Sequence, residues 1–172
     1  MFALCSERRS VLQCIQLKQD SKVLSMSTYD PNYVPSYPNF HLGVKVIVVN
    51  ATGKILVLQR SEKCSRPHGW DLCGGGVDEG EDPADAAIRE IKEEAGLDIV
   101  DPRPIATHTF AEEEGKPKNV VIIGYWAKAL SDEVVLSWEH EAYQWLAPKD
   151  ALELDFPKAY KTFLKLYIDQ VL

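Results

Sequence analysis

The stretch GGGVDEGEDPADAAIREIKEEAGL, residues 74–97, runs from three consecutive glycines into five glutamates within two dozen positions. Asp82 stands where an N-cap belongs, Pro83 in the first turn and Gly96 as a C-terminal stop, so the spacing predicts a short helix between them. At about 100° per residue, Ala84, Ala87, Ile88, Ile91 and Ala95 form one apolar face. Glu90, Glu93 and Glu94 fall together on another, because positions three and four apart are neighbours. Like charges at that spacing repel unless something positive sits between them. Converging carboxylates are hard oxygen ligands and suit Mg²⁺ or Mn²⁺ rather than zinc.

For an arbitrary EIKEE stretch, a solvated acidic face is the simpler reading. Three neighbours change it. The preceding glycines let backbone approach a ligand closely and aim a carbonyl at a metal. Glu81 lies just before the helix, where it can bond a backbone N–H or an arginine. Arg89 lies inside the cluster and can hold its carboxylates through charge-assisted bonds.

Outward from this stretch the chain reads as strands. His41–Asn50 and Lys54–Arg60 are β-rich runs separated by Ala-Thr-Gly, which predicts a hairpin. A polar loop, 61–70, leads to a short extended segment, Asp71–Cys73. After the helix come strands over Pro104–Ala111 and Asn119–Ala129, joined by the acidic turn EEEGKPK, and a short strand over Ala142–Leu146. Pro157–Val171 predicts an amphipathic helix with Tyr160, Phe163, Leu164 and Tyr167 on one side. Hairpin, strand, helix, strands and helix together imply an α/β fold, a mixed sheet covered by helices.

The box is recognisable as a whole. It resembles the signature of the Nudix hydrolase family, of MutT-like type: Gly75, Glu81, Arg89-Glu90, Ile91, Glu93-Glu94, Gly96 and Leu97 fill every defined position. The resemblance covers roughly residues 40–170 and implies a Nudix-type α/β/α sandwich. It also implies metal-dependent hydrolysis of a nucleoside diphosphate linked to another group. By that resemblance Glu90, Glu93, Glu94 and the carbonyl of Gly74 are metal ligands for Mg²⁺, with Mn²⁺ an option. Glu93 or Glu94 orients or deprotonates the attacking water. Arg89 is a structural partner of the carboxylates, with Glu81. Arg60 is similar to an arginine that contacts substrate phosphate. Glu139, or its neighbour Glu141, stands where many members carry an extra carboxylate, while His140 reads as a loop residue.

Cys73 replaces the proline that commonly precedes the glycines and reads as a small buried residue. No proline about fifteen residues beyond the box, and no tyrosine slightly further on, marks an ADP-ribose or dinucleoside-polyphosphate subgroup. The resemblance therefore implies a nucleoside triphosphate or related nucleotide and leaves the substrate open. An isopentenyl diphosphate isomerase needs a histidine-rich metal site and a catalytic cysteine. Cys64 and Cys73 are available for the latter, but the intact hydrolase box speaks against it. A non-catalytic nucleotide-binding module would be expected to lose box carboxylates, and all are kept.

The remaining composition fits this reading. At 172 residues the chain is long enough for one ordinary domain with a sizeable core. Its net charge of −7 opposes a nucleic-acid-coating surface, so no duplex partner is expected. A small phosphorylated ligand stays compatible, because a bound cation reverses the local field. Cys5, Cys14, Cys64 and Cys73 lack CxxC spacing and read as reduced thiols of a cytoplasmic protein. The opening segment has no continuous apolar run, so neither a signal peptide nor a membrane span is expected there. Residues 1–39 are expected to be an extension and linker, with Met26 an alternative start and 27–40 a proline- and tyrosine-rich strap. Residues 40–172 are expected to form the catalytic domain, as a monomer or homodimer.

Overall fold

A computed structural model describes residues 40–110 and 119–172. The readings for the N-terminal extension, its strap, Cys5 and Cys14, and the acidic turn lie outside those residues. The described chain forms β1 (His41–Val49), β2 (Ile55–Arg60), β3 (Trp70–Asp71), α1 (Pro83–Ala95), β4 (Ile99–Phe110), β5 (Val120–Ala129), β6 (His140–Leu146), α2 (Pro148–Ala151) and α3 (Lys158–Val171). The sheet order is β3-β2-β1-β5-β4, with β6 on β2; β1 and β5 run parallel and the other pairs antiparallel.

Alternation along β1 builds the two faces of the sandwich. Val44, Val46 and Val48 join Leu56, Leu58, Ala87 and Ile91 beneath α1. Ile47 and Val49 join Ile55, Val57, Phe163, Leu164 and Tyr167 beneath α3. A central parallel strand buried on both faces accounts for the nearly unbroken β-branched run. Lys45 interrupts that run on the α3 face, and it is only 7% exposed. The mixed sheet between helices is the α/β architecture expected, and α3 buries Tyr160, Phe163, Leu164 and Tyr167 as its periodicity predicts.

Four expectations need correction. The β1–β2 connection turns as a hairpin, with Asn50 Oδ1 accepting from the N–H groups of Thr52 and Lys54. Yet the strands pair only at Val49↔Ile55 and then part. β2 pairs instead with β6 over six positions. The glycine loop occupies the vacated edge of β1: Val46 N donates to Cys73 O, Val44 N to Gly75 O and Val77 N to Leu42 O. Second, β4 starts at Ile99, ahead of Pro102 and Pro104, with register shifts between Val100 and Arg103 and between Pro104 and Ala106. Among the described residues it borders the sheet, where prolines and bulges are tolerated because no second neighbour there needs their missing N–H groups. Third, Ile88 is 40% exposed, and Ala86 takes its place in the core. Fourth, β6 begins at His140, which is a buried strand residue rather than a loop residue.

Capping of α1 follows the sequence. Asp82 Oδ1 accepts from Ala84 N, Pro83 occupies the first turn, and Gly96 N donates to Lys92 O at the close. The helix thus starts and stops where its caps dictate, which fixes the rotation that presents its glutamates.

Candidate functional site

The glycine loop can only be glycine at its tightest points. Gly74 has φ +127°, and a Cβ there would lie 2.3 Å from Val44 O. A Cβ on Gly75 would lie 2.6 Å from Glu90 Oε2. Gly74→Ala is expected to cost about 3 kcal/mol or more, because backbone strain and a backbone clash add. Urea unfolding checks it; a stability within 1 kcal/mol of wild type, roughly the effect of an ordinary substitution, would contradict the geometry.

The predicted carboxylates meet this loop from α1, but they are not equivalent. Glu94 is not displayed to solvent: it is 6% exposed, and its Oε2 accepts from Gly74 N at 2.8 Å. Its place on the inner side of the helix, between Ile91 and Ala95, is the reason. Glu90 is half-buried at the loop and Glu93 is exposed. Arg89 ties the cluster together. Nη1 donates to Glu90 Oε1 at 2.8 Å and to Glu93 Oε2 at 3.3 Å. Nε and Nη2 grip the two oxygens of Glu81, and Nη2 also donates to Gly76 O. Glu81 in turn accepts from Asp78 N, so it serves both partners foreseen for it.

The electrostatics differ accordingly. Hydrogen bonds from Arg89, then the Asp78 N–H, hold the Glu81 carboxyl down to about 2. Burial pushes Glu90 up despite Arg89. Burial pushes Glu94 up to about 7, and the charge of Lys45 and the Gly74 N–H offset this only in part. A carboxyl raised in the fold binds its proton more tightly there than in the unfolded chain. With chelator present, the stability that Glu94 contributes is therefore complete below about pH 4.5 and is lost as pH rises through about 7. The loss is about 3 kcal/mol. Denaturation at stepped pH is expected to show it in wild type and not in Glu94→Gln. Parallel profiles for the two proteins would remove Glu94 as the source.

Among the described residues, no three acidic, histidine or cysteine side chains converge tightly enough to coordinate a cation as they stand. The donor set nevertheless suits a hard divalent cation. Three carboxylates lie beside a loop whose Cys73, Gly75 and Gly76 carbonyls are taken by Val46 N, Val44 N and Arg89, while no hydrogen bond to Gly74 O is found among the described residues. Arg89 engages one oxygen each of Glu90 and Glu93, and Gly74 N one oxygen of Glu94, which leaves the second oxygen of each carboxylate for a cation.

Behind the loop, on the α3 face, lies a cleft of about 360 Å³. Its walls include Lys45, Arg60, Arg66, Asp71, Gly74–Gly76 and Tyr160. Asp71, 2% exposed, is its anchor. Lys45 Nζ lies 3.1 Å from Asp71 Oδ1 and donates to Leu72 O; Arg60 Nη1 donates to Asp71 Oδ2 at 2.9 Å. Burial opposes the charge on Lys45, but Asp71, Tyr160 and Glu94 outweigh it, so the ammonium is held well above its ordinary value. Asp71 likewise overcomes its burial through Lys45 and Arg60 and titrates below the usual carboxylate range.

Arg60 therefore lines the cleft, but its guanidinium is committed: Nε donates to Ser65 O and Nη2 to Ser65 Oγ, besides the bond to Asp71. Glu139 is half-buried beside it, with its backbone oxygen accepting from Ser61 N. Glu141 pairs instead with His68 on the exposed side of β6. His140, between them, has neither ring nitrogen hydrogen-bonded among the described residues, and burial, then the charge of Lys45, pushes it down to about 4. Cys73 is buried, with burial pushing its thiol up, as a small inert residue would be.

The sequence reading singles out none of Asp71, Lys45 and Arg66, and names Tyr160 only on the apolar side of its helix. A signal existed for one of them: a lysine inside GVKVIVV is a charge in a buried strand, and such a charge must be paired.

Residues 39–167 match the family model described as the NUDIX domain. The asymmetrical bis(5'-nucleosyl)-tetraphosphatase of Caenorhabditis elegans is 40% identical over 116 residues, spanning 63% of this chain and 80% of that one. A crystal structure of a C. elegans Ap4A hydrolase binary complex superposes with a TM-score of 0.59 at 31% identity, covering 75% of this chain and 96% of the other. A MutT protein from Methanosarcina mazei Go1 gives a TM-score of 0.65 at 29% identity, with coverage of 76% and 94%.

Proposed function

The chain belongs to the NUDIX family, and from that premise we propose that it is a Mg²⁺-dependent pyrophosphohydrolase of nucleoside polyphosphates, with a dinucleoside tetraphosphate as the first substrate to test. Hydrolysis of a phosphoanhydride bond in a nucleotide is what its relatives share. The names of three of these relatives favour the tetraphosphate, and a nucleoside triphosphate is the second reading. One observation carries the proposal: the Gly74–Gly76 strip has the carboxylates of α1 on one side and a cationic cleft on the other. A polyphosphate chain is the ligand that needs both.

In this reading Glu90, Glu93, Glu94 and Gly74 O hold the metal, which supplies charge neutralisation and a more acidic bound water. Glu93, being exposed and loosely held at 3.3 Å from Arg89, is free to swing toward the reacting phosphate as the general base. Glu94 is the fixed ligand, because Gly74 N already orients it. Arg89 and Glu81 hold the remaining carboxylates in register. Glu139 supports the substrate side, and Arg60 keeps that side positive through its hold on Asp71. No helix among the described residues is long and apolar enough to cross a membrane; a cytoplasmic setting is part of the proposal, as is a small-molecule nucleotide substrate rather than a nucleic-acid duplex. Residues 40–172 are proposed as the catalytic domain.

The test is a substrate panel with Mg²⁺ and with chelator, products read by mass spectrometry. It holds nucleoside triphosphates, dinucleoside tetraphosphates, ADP-ribose, nucleotide sugars and isopentenyl diphosphate. Metal-dependent release of a nucleoside monophosphate together with the triphosphate, fastest from the tetraphosphate, is the expected result. Isomerisation, or binding without cleavage of any member, would overturn the hydrolase reading.

A further inference from the structure

We infer that Arg66, in the β2–β3 loop, is the arginine that grips the phosphate chain of the substrate, and that Arg60 is its structural support. The inference rests on the hydrolase reading above, and deepens it at the same site.

Three cations surround Asp71, and only one of them is in surplus. Lys45 and Arg60 already satisfy the carboxylate at 3.1 and 2.9 Å. Arg66 Nη2 reaches it only at 3.9 Å, and no hydrogen bond from the Arg66 guanidinium is found among the described residues. Its side chain is 46% exposed, against 17% for Arg60. Lys45 and Arg60 are answered by Asp71, with Glu94 and Glu139 near them, so the Arg66 guanidinium is the charge at this end of the cleft left for an anion. Three of the five Arg60 N–H groups are engaged by Asp71 and Ser65 and its side chain is 17% exposed, so it has little freedom to turn toward a phosphate. The Arg66 fork, by contrast, can turn at little cost and offer two parallel N–H bonds to phosphate oxygens.

The loop is built to hold that residue. Arg66 and His68 both have left-handed backbones, φ +56° and +59°, although neither is glycine. Such conformations are costly and persist where the surroundings fix them. Here they are fixed by Gly69 N to Arg66 O, His68 N to Arg60 O, and the ion pair of His68 with Glu141. The result is a taut loop that keeps an uncommitted guanidinium at the wall it shares with the glycines.

The test compares wild type, Arg66→Ala, Arg66→Lys and Arg66→Glu. Arg66→Ala is expected to raise KM about tenfold, with a smaller change in kcat, the effect of one charged hydrogen-bonding partner. Arg66→Lys should recover part of the loss and Arg66→Glu should exceed it. Because the side chain is exposed, melting temperatures should stay close to wild type. Independently of turnover, inorganic tripolyphosphate binding is measured by calorimetry, and Arg66→Ala should weaken it to a similar degree. Unchanged KM and unchanged tripolyphosphate affinity in both Arg66→Ala and Arg66→Glu would overturn the assignment. Failure of the wild type to hydrolyse any nucleotide removes the hydrolase reading instead, and tripolyphosphate affinity still decides the role of Arg66.

Discussion

Glu94→Gln is expected to lower kcat by about 10³-fold while the protein stays folded, the scale of losing a metal ligand or general base. The amide keeps one oxygen of the right shape, so the bond from Gly74 N survives and the loop remains docked. What vanishes is the negative charge, and with it a ligand. The same substitution raises stability at neutral pH in chelator, because the buried carboxylate charge no longer opposes folding. Activity and stability thus move in opposite directions at one atom. Mg²⁺-stimulated product release and a thermal melt on the same sample measure both. Glu93→Gln should share the loss of turnover without the gain in stability, since Glu93 is exposed. Full activity in both variants would remove the proposed carboxylate site.

Asp71→Ala should be the most damaging single substitution in the basic cleft. Lys45 would be left buried with Leu72 O, the Tyr160 ring 5.6 Å away and the more distant charge of Glu94. Breaking one side of a buried pair costs about 3–5 kcal/mol. In a domain of this size that lowers the melting temperature by about 10 °C. A paired change, Lys45→Met with Asp71→Leu, should recover much of the loss, because replacing both ions by apolar groups removes the desolvation cost together with the attraction. Denaturant unfolding of the two singles and the double gives the coupling energy. A single and a double of equal stability would mean that the pair is not what holds this corner.

What the sequence discloses here is what short-range rules govern. The caps of α1 depend on neighbours two to four positions away, so Asp82, Pro83 and Gly96 predict its ends closely. The spacing of Glu90, Glu93 and Glu94 around Arg89 is legible for the same reason. Exposure is not, because it depends on what packs against the helix. The helical wheel cannot tell that the sheet lies under Ala86 rather than Ile88, or that Glu94 is on the buried flank. Nor can local pattern show that the glycine loop displaces β2 from β1, since both partners of β1 are hydrogen-bonding strangers far along the chain. The basic cleft was hidden most completely. Lys45, Arg60, Arg66 and Asp71 are spread over 27 positions, and only the fold unites them on one carboxylate. His140 was misread because its strand starts two residues before its obvious apolar core.

The border strand β4 has a further consequence. With Pro102, Pro104 and a left-handed Asp101 in its first half, it presents an interrupted row of donors along its outer side. A strand from another molecule would find no continuous ladder to extend there. The irregularity that obscured β4 in the sequence thus protects a crowded solution of this protein from joining sheet to sheet.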